Sequence, residues 1–265
     1  MTYRLAIVGG GNMGAALIGG LLAADVGGWT ADDLAIVEVL ASRAEQLRAR
    51  FPGIAVTDVV PDCQAAVIAV KPPDVADACA AAAAAGATRV LSIAAGVPLA
   101  TLQAAAGAKV AVVRAMPNTP ALVGQGAAAI SAGATAGDSD MAWAESILGA
   151  VGTVVRVPES QLDAVTGLAG SGPAYLFLVA ESLISAGVAA GLSQDDSEAL
   201  VTQLFVGSAA LLKEQGEPAE LRKMVTSPGG TTAAGLRVLD ESGVREAFLE
   251  AVMAAKARSI ELGRG

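Results

Sequence analysis

The 265-residue chain contains no histidine. That removes the side chain most often used for acid–base work near neutral pH. Any proton needed in the chemistry must come from a hydroxyl, a carboxyl, a lysine, the substrate or water. Cysteine is almost as scarce, with Cys63 and Cys79 the only two. No His/Cys cluster for zinc or iron is available, and no metal is expected. Two isolated cysteines read as buried or idle thiols. Aromatic residues make up 3% of the chain and hydrophobic residues 54%, so the core must be built from Ala, Val, Leu and Ile. Such small side chains suit close helix packing, and alanine favours helix. The net charge is −9 with no basic cluster, which argues against nucleic acid as a partner. Met1 leads directly into a strand, with no basic leader ahead of an apolar segment. No apolar run reaches the roughly 18–20 residues of a membrane span without an interrupting Gly, Pro or charge, and the alanine-rich stretches are too mildly apolar to count. The expectation is a cytoplasmic protein without membrane contact.

Glycine, by contrast, is plentiful at 31 residues, and its placement is informative. An apolar strand over residues 3–8 runs straight into Gly9-Gly10-Gly11-Asn12-Met13-Gly14. This is the G-x-G-x-x-G spacing of a dinucleotide site. Gly9 permits a tight turn out of the strand, Gly11 lets backbone approach a pyrophosphate, and Gly14 lets the next helix pack closely. That helix, over 13–24, aims its first N–H groups at phosphate charge, with Asn12 and Met13 at its mouth. A second strand over 34–37 ends in Glu38, at the separation from Gly14 that such a site requires. A carboxylate there accepts hydrogen bonds from the adenosine ribose hydroxyls, or is a solvated strand end.

The first 158 residues alternate strand and helix. Strands are expected at 54–57, 66–70, 89–93, 110–113, 126–131 and 152–157. Helices are expected at 42–50, 76–85 and 138–148. This predicts an α/β fold, a mostly parallel sheet covered on both faces. After Pro158 no strand is expected. A long helical stretch over 159–190 is broken at Gly170-Ser171-Gly172-Pro173, by a bend at the proline or by a functional break. Helices follow at 194–215, 218–225, 232–239 and 243–262. The domains predicted are thus 1–158, for a dinucleotide, and 159–265, all helical. The wide apolar faces of the second imply burial against another subunit, unless it is a compact monomeric bundle.

Three segments end strands on one edge of the sheet, where ligands of open α/β sheets bind. They are Val70-Lys71-Pro72, Ala94-Ala95-Gly96 and Met116-Pro117-Asn118-Thr119-Pro120. Lys71 either faces the nucleotide or snorkels from a strand end. Asn118 either bonds cofactor or substrate, or caps the turn between its prolines. In the second domain, Ser227-Pro228-Gly229-Gly230-Thr231-Thr232 puts two glycines before a helix. Bare amides there suit a small anion, and the threonine hydroxyls can cap the helix or reach a ligand.

Taken together, the runs Arg114–Pro120, 170–175 (Gly-Ser-Gly-Pro-Ala-Tyr) and 227–232, with 69–72 and 92–96 behind the glycine turn, closely resemble the pyrroline-5-carboxylate reductase family over essentially the whole chain. The resemblance implies a Rossmann-type domain followed by a helical dimerisation domain. It implies reduction of a cyclic imine to L-proline by NADH or NADPH, in a dimer or a decamer. It places the substrate carboxylate on Ser227, Gly229, Gly230 and Thr231, with Thr232 as the catalytic group near the ring nitrogen. It places Lys71 in its Val70–Pro72 segment, Ala94 and Gly96 along the cofactor, and Asn118 near the nicotinamide. The choice of cofactor stays open: Glu38 opposes a 2′-phosphate, whereas Arg43 stands in the next helical turn and the family favours NADPH. The rival readings are another imine or 3-hydroxyacid oxidoreductase, or a nucleotide-binding protein without turnover. The 3-hydroxyacid enzymes need a lysine on the first long helix of the second domain, and residues 159–190 contain none.

Overall fold

A computed structural model describes residues 2–24 and 27–263. The chain forms two compact units, one of residues 1–171 with 253–265 and one of residues 172–252. This division falls after Ser171, later than the change of pattern at Pro158.

The first unit is built on eight strands: β1 (Leu5–Val8), β2 (Leu34–Val37), β3 (Ala55–Thr57), β4 (Ala65–Ile68), β5 (Arg89–Ser92), β6 (Ala111–Met116), β7 (Gly126–Ala132) and β8 (Gly152–Arg156). They make one sheet in the order β3-β2-β1-β4-β5-β6-β7-β8. All neighbours run parallel except β7, which is antiparallel to β6. Its helices are α1 (Asn12–Ala23), α2 (Ala41–Arg50), α3 (Val75–Ala84), α4 (Leu99–Ala106), α5 (Asp138–Gly149) and the short α6 (Leu162–Val165).

Every residue of β1, β2 and β4 is buried. A parallel strand covered on both faces must be apolar throughout, and Leu-Ala-Ile-Val serves twice, as β1 and as β2. The period of two then sorts the side chains. Leu5 and Ile7 enter a core layer with Leu17 and Ile18 of α1 and Ile147 of α5. Ala6 and Val8 enter the opposite layer with Cys79 of α3 and Leu102 of α4. Cys63 and Cys79 are both buried free thiols in this second layer. Burial pushes each thiol up to about 11.

The helix α4 was not anticipated, because its Leu-Ala-Thr-Leu-Gln-Ala-Ala-Ala run has no polar face to give it a period. Its start is fixed from a distance. Leu99 N–H donates to Glu159 Oε1 at 2.7 Å, and the buried Arg114 donates to the same oxygen at 2.9 Å. Arg114 therefore belongs to the scaffold of the sheet and not to a ligand loop.

The helical run after Pro158 is interrupted by a π-helical turn over Thr166–Gly170. Ser171 N–H donates to Thr166 O at 2.8 Å across it. Pro173 stands harmlessly in the first turn of α7 (Gly172–Ala189), where a missing N–H costs nothing. The break is thus a widened turn rather than a proline bend. The run Glu159–Ala189 is long and apolar enough, by length and composition, to cross a membrane, with a mean hydropathy of 1.4. Asp163, Gly167, Gly170, Gly172, Pro173 and Glu181 interrupt it. Helical structure continues across the Gly-Ser-Gly-Pro segment instead of ending there.

The second unit begins with α7 and continues through α8 (Gln194–Gln215), α9 (Pro218–Met224), α10 (Thr231–Glu241) and the first part of α11 (Val244–Leu262). α7 and α8 pack together, close enough that a Cβ on Gly187 would lie 2.8 Å from the buried Ser197 Oγ. Yet α7 buries none of its residues within one chain. Leu176, Phe177 and Leu178 are each more than half exposed, as are Leu200 and Leu204 of α8. From Met253 onward α11 belongs to the first unit. There Ser259 Oγ donates to Asp163 Oδ1 at 2.7 Å, and Leu262 and Gly263 lie against Gly96.

Candidate active site

The carboxyl ends of β1, β2, β4, β5 and β6 share one edge of the sheet, and the chain reverses direction of winding between β1 and β4. This is the topological switch point, where such sheets open a crevice. The glycine turn leaves β1 here. Gly9 has φ +110, and a Cβ on it would lie 2.6 Å from Ala69 O at the end of β4, so both conformation and close approach demand glycine. A Cβ on Gly14 would collide with Gly9 O, so α1 can fold back onto the turn only through glycine.

Gly11 differs from both. It is the N-cap of α1, with φ −63 and ψ −171, a conformation any residue adopts. A Cβ there would meet nothing within 4 Å. Neither the backbone nor packing explains the absence of a side chain, which leaves bare backbone at the mouth of α1. No side chain caps this helix, so its first N–H groups are open to an anion. Asn12 is exposed beside them and Met13 half-buried.

Glu38 follows β2 directly, its N–H donating to Thr57 O at 2.8 Å. Its Oε1 accepts from Leu40 N–H at 2.9 Å. Its Oε2 lies 3.1 Å from the place a Gly10 Cβ would occupy, so the carboxylate leans over the glycine turn. Arg43 meets it from α2, with Nε donating to Gly10 O at 2.8 Å. The sequence placed Arg43 only within reach. The structure fastens it to the turn itself.

The other strand-end segments occupy the same edge. Val70 follows β4, half-buried, and Lys71 and Pro72 are exposed. Lys71 opens the 3-10 turn Pro72–Asp74, and its ammonium pairs with no carboxylate among the described residues. Ala94 and Gly96 follow β5 and are both buried. Asn118 follows β6, but its side chain serves the fold. Oδ1 accepts from Ala127 N–H at 2.8 Å and Nδ2 donates to Ala169 O at 3.1 Å. It caps no helix by its side chain. The amide instead ties the start of β7 to the π-helical turn.

In the helical unit, Ser227–Thr232 leads into α10. Gly229 takes φ +71, and Gly230 N–H closes a turn onto Ser227 O at 3.0 Å. The Gly230 amide is therefore spent inside the loop, which corrects the expectation that both glycine amides face a ligand. The amides left open are those of the first helical residues, Thr231, Thr232 and Ala233, because Ala234 is the first to bond back, to Gly230 O. Gly230 is the N-cap, with no side-chain cap. Thr231 and Thr232 are the first two residues of α10 rather than its cap. Both are exposed, and neither hydroxyl has a partner in the chain among the described residues. Ser227 Oγ stays beside Gly230, against the place a Cβ would occupy.

A protein-family model described as pyrroline-5-carboxylate reductase dimerisation matches residues 159–262. One described as NADP oxidoreductase coenzyme F420-dependent matches residues 4–96. The chain is 43% identical to the pyrroline-5-carboxylate reductase of Synechocystis sp., covering 100% of both. Among solved structures it is similar to a pyrroline-5-carboxylate reductase from Coxiella burnetii, with 33% identity, a TM-score of 0.90 and 99% of each chain covered. It is also similar to a Plasmodium falciparum pyrroline carboxylate reductase with NADP bound, with 29% identity, a TM-score of 0.84 and 98% of each chain covered.

Proposed function

This chain belongs to the pyrroline-5-carboxylate reductase family, and from that premise we infer that it reduces the cyclic imine L-1-pyrroline-5-carboxylate to L-proline with NADH or NADPH. The observation that carries the nucleotide half of this reading is Gly11, a glycine that no protein atom requires. A pyrophosphate brought against its backbone supplies the missing reason. The residues present fit that cofactor. Gly9–Gly14 and the open amides of α1 would hold the pyrophosphate, and Glu38 the adenosine ribose. Val70, Lys71, Pro72, Ala94 and Gly96 line the edge along which the rest would extend. Asn118 fixes the wall of that edge through its two backbone partners.

When bound, the reduced nicotinamide supplies the hydride. The chain's own work is binding and orientation. The Ser227–Thr232 loop takes the substrate carboxylate on the open amides of Thr231, Thr232 and Ala233, with Ser227 and Gly229 shaping the turn. The Thr232 hydroxyl holds the ring nitrogen. A cyclic imine is basic and reaches the site already protonated, so its carbon accepts hydride while the nitrogen keeps its proton. No strong general base is needed, in keeping with a chain without histidine.

We assign the cofactor to residues 1–158 and substrate binding with self-association to residues 159–265. The exposed apolar residues of α7 and α8 support a subunit contact, and the apolar run Glu159–Ala189 lies within the dimerisation match, so we assign it to a partner rather than to lipid. A dimer is the minimal unit, a decamer the larger alternative. The site is cytoplasmic in this reading, and the net charge of −9 favours no nucleic acid.

Oxidation of reduced nicotinamide, followed at its absorbance with the pyrroline carboxylate as acceptor, tests the reaction. No turnover with either nucleotide removes the assignment. Within that assay, Thr232→Ala should lower kcat/KM about 10–100-fold, the cost of one hydrogen bond to a charged group. Thr231→Ala, whose amide remains in place, should lose much less. Matching near-native kinetics for both variants would take the ring nitrogen away from Thr232.

A further inference from the structure

We propose that this chain takes NADH in preference to NADPH, and that Glu38 decides it. The inference rests on the dinucleotide reading of the glycine turn and sharpens it to one cofactor.

A 2′-phosphate is a compact anion at the ribose, and the protein around that ribose must supply positive charge or free donors for it. The ends of β2 and β3 enclose a cavity of about 540 Å³ beside the glycine turn, lined by Glu38, Val39, Arg48, Thr57, Asp58 and Val59. Two of its lining groups are carboxylates and one is a guanidinium. Glu38 is the carboxylate nearest the turn. Its Oε1 is held by Leu40 N–H at 2.9 Å, which orients Oε2 over Gly10. A phosphate reaching past the ribose hydroxyls meets this fixed negative charge.

Both cations in reach are tethered to main-chain carbonyls. Arg43 donates through Nε to Gly10 O at 2.8 Å and through Nη1 to Gln46 Oε1 at 3.1 Å. Arg48 donates through Nη2 to Val56 O at 3.1 Å. Each guanidinium spends one or two of its five N–H donors on these partners, and the main-chain anchor fixes where the others point. Arg43 also satisfies a carbonyl of the very turn that carries the pyrophosphate, so moving it disturbs the rest of the site.

The side chains directly after Glu38, those of Val39 and Leu40, offer no donor, and the next hydroxyl along the chain is that of Ser42. Val39 is 76% exposed and Leu40 64% exposed, with Val59 at 68% across the cavity. Such apolar side chains left in water at a cavity rim suit the flat face of an adenine and not a dianion. Glu38 then accepts the 2′- and 3′-hydroxyls of an unphosphorylated ribose.

Fluorescence titration of the purified protein with NADH and with NADPH measures both dissociation constants directly, without turnover. The wild type should bind NADH about tenfold or more tightly than NADPH, the scale of one charge opposing another across a few ångströms of partly wet surface. E38Q keeps an oxygen for Leu40 N–H and removes the charge. E38S removes both. Each should bring the two constants to within a few-fold of one another, with the midpoint of thermal unfolding confirming a folded protein. Tighter binding of NADPH by the wild type overturns the preference. An unchanged ratio in folded E38Q and E38S overturns the role of Glu38. Failure of either nucleotide to bind overturns the dinucleotide site as a whole, and preferential binding of NADH without reduction of the imine leaves this inference standing while removing the reaction.

Discussion

Replacing Leu204 with arginine should leave a monomer with at least about a hundredfold less activity than the wild type. Leu204 and Leu200 stand four residues apart on α8 and are 54% and 59% exposed within a single chain. Gly207 follows on the same side, with open space around the position of a Cβ. Together they form a narrow apolar stripe, the kind of surface that another helix covers. In a two-fold contact the same surface is used by both subunits, so one substitution brings in two cations at once. Each would lose water without gaining an acid. The Ser227–Gly230 loop, to which we assign the substrate carboxylate, precedes α10 in the same compact unit as α8, so loss of the contact removes support from the loop. Light scattering gives the mass, and the same sample gives the rate. A monomer that keeps the native rate would show that the site is complete in one chain.

Gly11→Val should cost nucleotide binding about a hundredfold while leaving the fold nearly untouched. The two other glycines of the motif cannot make this separation, since a Cβ on Gly9 or Gly14 meets backbone oxygen and strains the protein before any ligand arrives. At Gly11 the backbone is ordinary extended chain and a Cβ meets nothing within 4 Å. Its only structural cost is that of an apolar N-cap, about 1 kcal/mol or less relative to glycine. Its methyl groups, however, would stand where the pyrophosphate must touch backbone. Titration with NADH and a thermal melt of the same preparation measure the two quantities. Near-native affinity in the valine variant would place the phosphates elsewhere.

The glycine turn and the strand end beside it were legible because their constraints are local. Gly9, Gly14 and Glu38 follow from turn, packing and strand end, each within a few residues of the element it serves. The sheet was legible as well, since Leu-Ala-Ile-Val repeated as β1 and β2 admits little but a strand buried on both faces. What escaped was set by distant partners. Asn118 looked like a turn cap or a ligand, but its amide bonds to Ala127, nine residues on, and to Ala169, 51 residues on. Arg114 showed no role of its own in the sequence, and Glu159, 45 residues on, draws it into the scaffold. α4 had no polar face to announce it. The inward turn of the Gly230 amide could not be read either, because sequence shows that a loop is glycine-rich without showing which of its N–H groups the loop consumes.

Both thiols of the chain lie in the first unit, at Cys63 and Cys79, and the segment 172–252 contains no cysteine. With each thiol held up to about 11 by burial, only about one in a thousand is thiolate at pH 8, and none is within a reagent's reach. Opening of the sheet drops them toward the ordinary value near 8.5 and exposes them together. The protein thus carries its own clock for one half of its structure. The rate at which a thiol-specific dye is consumed reports excursions of the nucleotide-binding sheet and stays silent when the helical unit alone unravels. Added NADH should slow that rate in proportion to its occupancy, giving an affinity from a dye that never touches the nucleotide.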